Sequence, residues 1–501
     1  MSRKYSLKHV AVSFLCGSLF FSGIGFAAST STDISLKKLR LFVDGVNKSA
    51  PNGLYNNQGD KVPESLIYQN TTYVPVRMVG ELLGKTVEWD SACRAIIIGS
   101  KPGEEAKKAA CKSTEALDAS KLLTLDAATL NEAKRKYLAG DPLITQSVNQ
   151  LKQDADAAMQ KGPYSVLDKT KIAPSGDKHD YISIGVYWWP NPDTPNGLPY
   201  IQKDGQQNPE VNTNAFDRTN FGTTSSGIRT LSLAYFYTEN EAYAEYAAKL
   251  LRVWYLDPAT RMNPSLNYGQ AVPGVNDGRA AGIIETLNIL NTLDPATILN
   301  GTKYLPDQDL VKFKQWIGDY MKWLMESPIG IDEKNAKNNH GNWYDAQVAA
   351  YALFSGHPDI AKKVIEDNKK RIASQIEPDG RMPLEIARTR SLHYSTYNME
   401  AITIVARLGS KVGVDLWNYK TEDGRSILKA LEFLNPYISK QKEWEFEQIK
   451  AESLSSALPT MATATKAYGK PEFRATAEKL LKEKDATARE NLLYAVPKAS
   501  N

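Results

Sequence analysis

The order of apolar and polar residues divides the chain into a strand-rich first part and a helical remainder. From residue 34 to about residue 100, short alternating segments are separated by turns. Residues 39–45 predict a strand that runs into an Asp-Gly turn, and a strand with a short helix is predicted around Pro75. Residues 85–90 and 94–100 predict a closing hairpin. We therefore expect a small α+β domain over residues 34–100.

The remainder of the chain has the apolar spacing of amphipathic helices. The predicted helical runs lie near residues 126–160, 225–255, 279–293, 307–327, 343–355, 358–375, 397–410, 424–437 and 471–494. Several pair across short Gly or Pro breaks, and the lack of a strict repeat disfavours a solenoid. Paired helices of this length suit an α/α toroid, but periodicity alone does not separate it from other large helical folds. The predicted fold class is mainly α, with an α/α toroid (an incomplete α/α barrel) over residues 121–501.

Two shorter segments complete the predicted organisation. Residues 1–28 are typical of a secretory signal peptide, with Arg3, Lys4 and Lys8 before an apolar stretch and small residues at its end. A membrane anchor is the alternative, but Ser and Gly dilute the apolar stretch and it is short for a span. Residues 101–120, rich in Lys, Glu, Ala and Ser, predict a linker. Cys93 and Cys111 would remain in an exported chain, either as one disulfide or as two free thiols.

Net charge argues against a nucleic-acid partner. The formal charge of the 501-residue chain is +4, and removal of the three positive charges of residues 1–28, which hold no acidic residue, leaves +1. A chain with so weak a net field is not expected to bind nucleic acid or an anionic membrane surface. A polyanionic substrate would have to be bound by a local basic patch.

Candidate chemistry concentrates in two polar patches. Residues 338–356 carry an Asn-Asn-His cluster that leads into an apolar helical run, and residues 385–400 carry two arginines, a histidine and two tyrosines. The chain has only 5 histidines, and one lies in each patch. We expect the two patches to face each other across a cleft. The patches supply the candidate residues Asn339, His340, Trp343, Arg388, Arg390, His393, Tyr394 and Tyr397.

Two long loops add candidate substrate contacts. The loop of residues 183–218 is long for a helical domain and carries Tyr187, Trp188 and Trp189, whose flat faces suit stacking on sugar rings, although each ring is as well suited to filling the core. The second loop, residues 263–282, offers Gln270 and Arg279.

These patches together resemble the alginate lyase family of polysaccharide lyases. The matching elements are Tyr187-Trp188-Trp189-Pro190, Gly197-Leu198-Pro199-Tyr200, Asn208-Pro209-Glu210, Gln270-Ala271-Val272-Pro273-Gly274, Asp277-Gly278-Arg279, Asn338-Asn339-His340 and Thr389-Arg390-Ser391-Leu392-His393-Tyr394-Ser395. Residues 34–100 are similar to the copper amine oxidase N-terminal domain, an accessory module, through motifs such as Tyr73-Val74-Pro75-Val76-Arg77 and Val87-Glu88-Trp89-Asp90. That module brings no copper ligands here.

The resemblance implies an α/α toroid that cleaves an acidic polysaccharide, most readily alginate, by β-elimination without a metal or other cofactor. It implies the pair Asn339 and His340, the tyrosine Tyr394, an arginine that is either Arg388 or Arg390, and, more weakly, Gln270 as working groups. Such an enzyme is expected to be secreted or held at the cell surface, with the accessory domain as a spacer or a cell-wall contact.

The roles of these groups leave alternatives open. Elimination requires the carboxylate to be neutralised, a base to remove the neighbouring proton and an acid to protonate the leaving oxygen. His340 as base with Tyr394 as acid, or Tyr394 in both roles, fits this chemistry. His340 would otherwise be a structural histidine, Tyr397 competes with Tyr394, and the arginines could be ordinary ion-pair partners.

The sequence leaves two rival functions open. A glycoside hydrolase on a similar toroid would need two carboxylates flanking the bond, for which Asp217, Asp277, Glu285 and Glu385 are available. A non-catalytic glycan-binding wall protein would use only the aromatic loop and the N-terminal domain. No metal is expected, since the histidines lack ligand spacing with acidic neighbours.

Overall fold

The chain forms two compact units, residues 1–115 and residues 116–501. The computed structural model describes residues 40–50, 52–57, 59–68, 71–90, 95–100 and 116–494. The predicted signal peptide, most of the predicted linker and the two cysteines Cys93 and Cys111 lie outside the described residues. No helix in the described part of the chain is long and apolar enough to span a membrane.

The first unit is built from antiparallel strand pairs and one short helix. Its strands are β1 (Phe42–Val43), β2 (Val46–Asn47), β3 (Leu54–Asn57), β4 (Asp60–Pro63), β5 (Leu66–Tyr68), β6 (Thr71–Tyr73), β7 (Val87–Asp90) and β8 (Ala95–Ile98), and its helix is α1 (Val76–Leu82). The strands form four pairs, β1 with β2, β3 with β4, β5 with β6 and β7 with β8, and the last pair confirms the predicted closing hairpin. The helix packs closely against this hairpin at Gly80, where a Cβ would lie 2.1 Å from a methyl of Val87.

The second unit is a stack of helices, as its periodicity predicts. Its α-helices are α2 (Ala127–Leu138), α3 (Pro142–Met159), α4 (Arg218–Thr238), α5 (Glu241–Leu251), α6 (Leu287–Leu299), α7 (Asp307–Glu326), α8 (Pro328–Asn335), α9 (Asn339–Ser355), α10 (Pro358–Gln375), α11 (Pro383–Ile386), α12 (Ser391–Gly409), α13 (Ile427–Ile438), α14 (Leu458–Tyr468), α15 (Pro471–Lys482) and α16 (Glu490–Leu493). Consecutive helices pack as pairs, for example α4 with α5, α9 with α10 and α14 with α15. The unit is an α/α toroid, and the predicted mainly-α class is confirmed.

Helix α9 is the centre of this unit. It packs against α7, α8, α10 and α12, and nearly all of its side chains are buried. Asn338 caps its start by accepting a hydrogen bond from the backbone N–H of His340, and Gly356 ends it in the left-handed conformation with φ 88°. A helix held on every side fixes the groups of its first turn rigidly.

The short strands of the second unit hold its long loops. They are β9 (Ile182–Ile184), β10 (Trp188–Trp189), β11 (Ile201–Gln202) and β12 (Tyr268–Ala271). β9 pairs with β12 in parallel, and β10 pairs with β11 in antiparallel register, so both candidate loops are tied down at their bases.

Two helices begin one to two turns earlier than the apolar pattern predicts. α9 begins at Asn339 instead of about residue 343, and α12 begins at Ser391 instead of about residue 397. The first turn of each is polar, so its residues interrupt the apolar spacing while still adopting helical backbone. Asn339, His340, His393 and Tyr394 therefore lie on helix, at ends that face solvent-accessible space. The short polar α8 and the Ala/Thr-rich α14 had no apolar pattern that would have predicted them.

Candidate active site

A cleft of about 980 Å³ lies in the second unit, where the starts of α9 and α12 meet the two long loops. Ten of the predicted residues line it: Tyr187, Trp188, Gln270, Arg279, Asn339, His340, Arg388, His393, Tyr394 and Tyr397. The polar patches that lie about fifty residues apart in sequence thus share one cleft. Its size is in the range of ordinary ligand sites.

A buried carboxylate accepts two hydrogen bonds from Asn339. Its backbone N–H donates to Oε1 of Glu385 at 2.6 Å and its side-chain amide donates to Oε2 at 2.7 Å. Both residues are fully buried, and burial raises the pKa of Glu385. An amide has two N–H bonds, so at most one remains for a substrate. The Oδ1 atom of Asn339 has no hydrogen-bond partner in the described part of the chain.

His340 is oriented by a second carboxylate. Its Nδ1 lies 2.6 Å from Oε1 of Glu333, which is almost fully buried at the end of α8. A carboxylate on Nδ1 fixes the ring orientation and leaves Nε2 for chemistry in the cleft. His340 itself retains about a fifth of its side-chain exposure, as a group that must meet a substrate requires.

Tyr394 lies between another tyrosine and an arginine. Its hydroxyl donates to the hydroxyl of Tyr187 at 2.9 Å, and the guanidinium carbon of Arg388 lies 3.6 Å from the centre of its ring. Burial raises the pKa of Tyr394, and the positive charge of Arg388 opposes this shift. The phenol is therefore protonated at rest and suited to act as an acid, while the arginine favours any phenolate that forms.

The structure separates the two candidate arginines. Arg388 lines the cleft and is held by Asp204, with Nη2 and Nε at 2.6 and 3.2 Å from the two carboxylate oxygens. Arg390 does not line the cleft and instead pairs with Glu452 at 2.7 Å. The same Glu452 lies 3.1 Å from Nδ1 of His393. Of the two arginines, only Arg388 therefore lies at the cleft.

Gln270 and Arg279 also line the cleft. Gln270 is buried and has φ 48°, a left-handed conformation that is costly for a side chain with a Cβ. Its side-chain oxygen accepts a hydrogen bond from Nη2 of Arg279 at 2.8 Å, and Arg279 also lies 5.7 Å from the ring of Trp188. Arg279 has no carboxylate within ion-pair distance in the described residues, although Glu285 and Glu333 lie near enough to raise its pKa against the effect of burial.

Two predicted aromatic contacts lie elsewhere. Trp189 is outside the cleft lining, with its ring N–H donating to the carbonyl oxygen of Gln206 and Lys203 over its face. Trp343 is 4% exposed and packs against Tyr397 with ring centres 4.7 Å apart. It does not line the cleft but borders a separate cavity. Both rings therefore stabilise the walls of the site instead of lining it.

Three glutamates and an aspartate that hold the candidate residues were not identified as such from the sequence. Glu333, Glu385, Glu452 and Asp204 each orient one or more candidate residues. Their partners lie between 7 and 184 positions away in sequence, so no local spacing could have revealed them. Among the described residues, no group of three or more His, Cys, Asp or Glu side chains is placed to hold a metal ion.

Two family models match the chain. Residues 165–444 match the family model for alginate lyase, and residues 56–154 match the model for the copper amine oxidase N-terminal domain. No curated protein sequence matches the chain.

The chain is also similar to solved structures. An alginate lyase from Bacteroides ovatus is 40% identical, with a TM-score of 0.72, and the match covers 75% of this chain and 99% of that chain. Alginate lyase A1-III from Sphingomonas species A1 is 18% identical, with a TM-score of 0.46, over 79% of this chain and 100% of that chain. The family match spans more than half of the chain, and the Bacteroides structure is similar over nearly its whole length. The chain therefore belongs to the alginate lyase family and is a polysaccharide lyase.

Proposed function

We propose that this enzyme cleaves alginate by metal-independent β-elimination and that His340, Tyr394, Asn339 and Arg388 perform the reaction. The observation that carries the proposal is the position of an imidazole and a phenol, His340 and Tyr394, in one cleft with an amide and an arginine. The family implies an acidic polysaccharide as substrate, and alginate is the uronate polymer that the similar proteins are named for.

The first requirement of the reaction is to neutralise the sugar carboxylate, because the neighbouring proton is very weakly acidic while that group is charged. Asn339 can offer one amide N–H, and Arg388 lends positive charge that Asp204 offsets in part. Arg279, whose guanidinium makes no ion pair among the described side chains, adds positive charge to the cleft. We assign it to the carboxylate of the reacting sugar or of its neighbour.

The second requirement is a base and an acid. His340 carries Glu333 on Nδ1, which leaves Nε2 to take the proton. Tyr394 is protonated at rest and can give its proton to the leaving oxygen, with the resulting phenolate stabilised by Arg388. In the alternative geometry Tyr394 first loses its proton and acts as both base and acid on one face of the sugar. The raised pKa of Tyr394 favours the first scheme.

The remaining parts of the proposal concern location. The signal-like residues 1–28 support export, and the polymer substrate is too large to act on inside a cell without import. The N-terminal unit is then an accessory module that acts as a spacer or contacts the cell wall.

The test is a panel of uronate polysaccharides that includes mannuronate-rich and guluronate-rich alginate. The enzyme is expected to raise near-ultraviolet absorbance with alginate, because elimination creates a conjugated double bond. Activity should survive prior treatment with EDTA. Absorbance gain only with another uronate polymer would reject alginate, and loss of activity that is restored by a divalent metal would reject metal independence.

A further inference from the structure

A second cavity, of about 590 Å³, lies beside the active-site cleft within the helical unit. Tyr397 lines both spaces, and Trp343, which packs against it, lines the second. Helix α12 contributes Tyr394 to the cleft and Glu400 and Arg407, further along the helix, to this cavity. Arg407 is thirteen residues beyond Tyr394, which is about 20 Å along a helix. The Trp343–Tyr397 pair therefore divides two adjacent chambers.

Two guanidinium groups in this cavity make no ion pair among the described residues. Arg229 donates one hydrogen bond, to Oδ1 of Asn291 at 2.5 Å, and Arg407 donates one, to the carbonyl oxygen of Thr124 at 2.9 Å. No carboxylate of the described residues lies within ion-pair distance of either arginine. Each guanidinium has five N–H bonds, so most of their donors are unused. Unpaired arginines in a half-enclosed space are typical of sites for carboxylates and phosphates.

Other groups in the cavity also lack partners. Trp343 is only 4% exposed, and its buried ring N–H has no hydrogen-bond acceptor among the described residues. The carboxyl group of Glu400 makes no hydrogen bond within the described part of the chain, and burial raises its pKa to about 7. A buried donor without an acceptor costs stability unless something else satisfies it.

The remaining charges of the cavity balance each other. Lys466 pairs with Asp126 at 2.9 Å, so this pair contributes no net charge. Two guanidiniums then face one carboxyl group that is partly protonated near neutral pH. Water can fill the space but does not compensate this charge, whereas an anion with hydroxyl groups does both. The aromatic walls formed by Trp343, Tyr397 and Trp417 suit the apolar face of a sugar ring.

We propose that this cavity is a second binding site for a short uronic-acid saccharide, with Arg229 and Arg407 on its carboxylates. The identity of the sugar rests on the proposed function, because the enzyme would release such saccharides next to this cavity. The cavity would then hold product apart from the reacting bond.

The test is calorimetric titration of the full-length chain with di-mannuronate, and with mannobiose as the uncharged control. The His340→Ala background prevents turnover during the titration. We expect two sites per chain for di-mannuronate and none at the second site for mannobiose. Arg229→Gln and Arg407→Gln should each weaken the second site by roughly tenfold or more while the first site is unchanged. In an active background both variants should retain most of the initial rate on polymer.

Matched variants separate charge at the cavity from charge in general. Arg135→Gln removes an exposed arginine that does not line the cavity and should leave both sites unchanged. Glu400→Gln removes the only unpaired carboxyl group among the described lining residues and should tighten the second site. If Arg407→Gln fails to fold, as circular dichroism would show, Arg229→Gln carries the test because its arginine makes only one side-chain contact.

Three results would overturn the proposal: a single site in the parent, a second site that is insensitive to both arginine variants, or equal binding of mannobiose. Arginine-dependent binding without any cleavage of alginate would reject the proposed function and leave this site standing. Cleavage of alginate by a chain with a single binding site would reject the second site and leave the proposed function standing.

Discussion

The hydroxyl of Tyr394 donates a hydrogen bond to the hydroxyl of Tyr187, and the two oxygens are 2.9 Å apart. The two residues are 207 positions apart in sequence, one at the start of α12 and the other in the aromatic loop. This bond orients the Tyr394 hydroxyl in the cleft before any substrate arrives. Removal of one hydroxyl at a time can therefore separate a role in catalysis from a role in positioning.

Tyr394→Phe should lower turnover by a factor of about a hundred or more, since it removes the proposed acid and keeps the ring that packs on Arg388. Tyr187→Phe removes only the partner hydroxyl and should cost far less. Initial rates on alginate for both variants provide the measurement. Equal losses would place the two hydroxyls in one catalytic unit, and near-normal activity of Tyr394→Phe would remove it from the reaction.

His340→Ala should also lower turnover by orders of magnitude with little change in melting temperature, because the ring is partly exposed at the first turn of α9. His357→Ala is the matched control. His357 precedes α10, contacts Ser355 and does not line the cleft. Activity of His340→Ala comparable with that of the control would show that the imidazole is structural.

Arg388→Gln and Arg390→Gln remove the same charge from neighbouring positions with different surroundings. Arg388 lines the cleft beside Tyr394, whereas Arg390 pairs with Glu452 outside the lining. We expect Arg388→Gln to reduce kcat/KM at least tenfold more than Arg390→Gln does. The opposite order would assign the catalytic arginine to Arg390.

Glu400 should make the stability of the helical unit depend on pH. Burial raises its pKa from 4.5 to about 7 in the folded chain, so folded molecules keep a proton that unfolded molecules lose in this interval. Stability from this group is therefore present at low pH and is lost as pH rises toward 7, by at most about 3 kcal/mol. Glu400→Gln should flatten the fall in melting temperature between about pH 4.5 and about pH 7.

Glu422→Gln provides the control for that experiment, since Glu422 is exposed in the loop before α13. Its pH profile should run parallel to that of the parent chain. A Glu400→Gln profile that also runs parallel would show that Glu400 titrates as it does in the unfolded chain.

The fold was largely predictable because its helices carry long apolar faces. The runs at residues 307–327 and 358–375 coincide with α7 and α10 almost to the residue. The pattern failed where a helix begins with polar residues, as at Asn339 and Ser391, because periodicity reports burial and not backbone conformation. Those are the turns that carry the candidate chemistry.

The candidate site was predictable as a list of residues but not as an arrangement. The Asn-His and Arg-Tyr motifs are local in sequence, so their members could be named. Their supports, such as Asp204 on Arg388 and Glu333 on His340, come from other elements and depend on the tertiary fold. The choice between Arg388 and Arg390 likewise required knowing which side chain faces the cleft.

The mass of the first products from alginate tests the central claim most directly. Elimination adds no water across the cleaved bond, so each unsaturated product should be lighter by one water molecule than the corresponding hydrolysis product. We predict this lighter series for the parent enzyme and its near absence for Tyr394→Phe under the same conditions. Products at the hydrolysis mass, or a lighter series undiminished in Tyr394→Phe, would contradict the proposed mechanism.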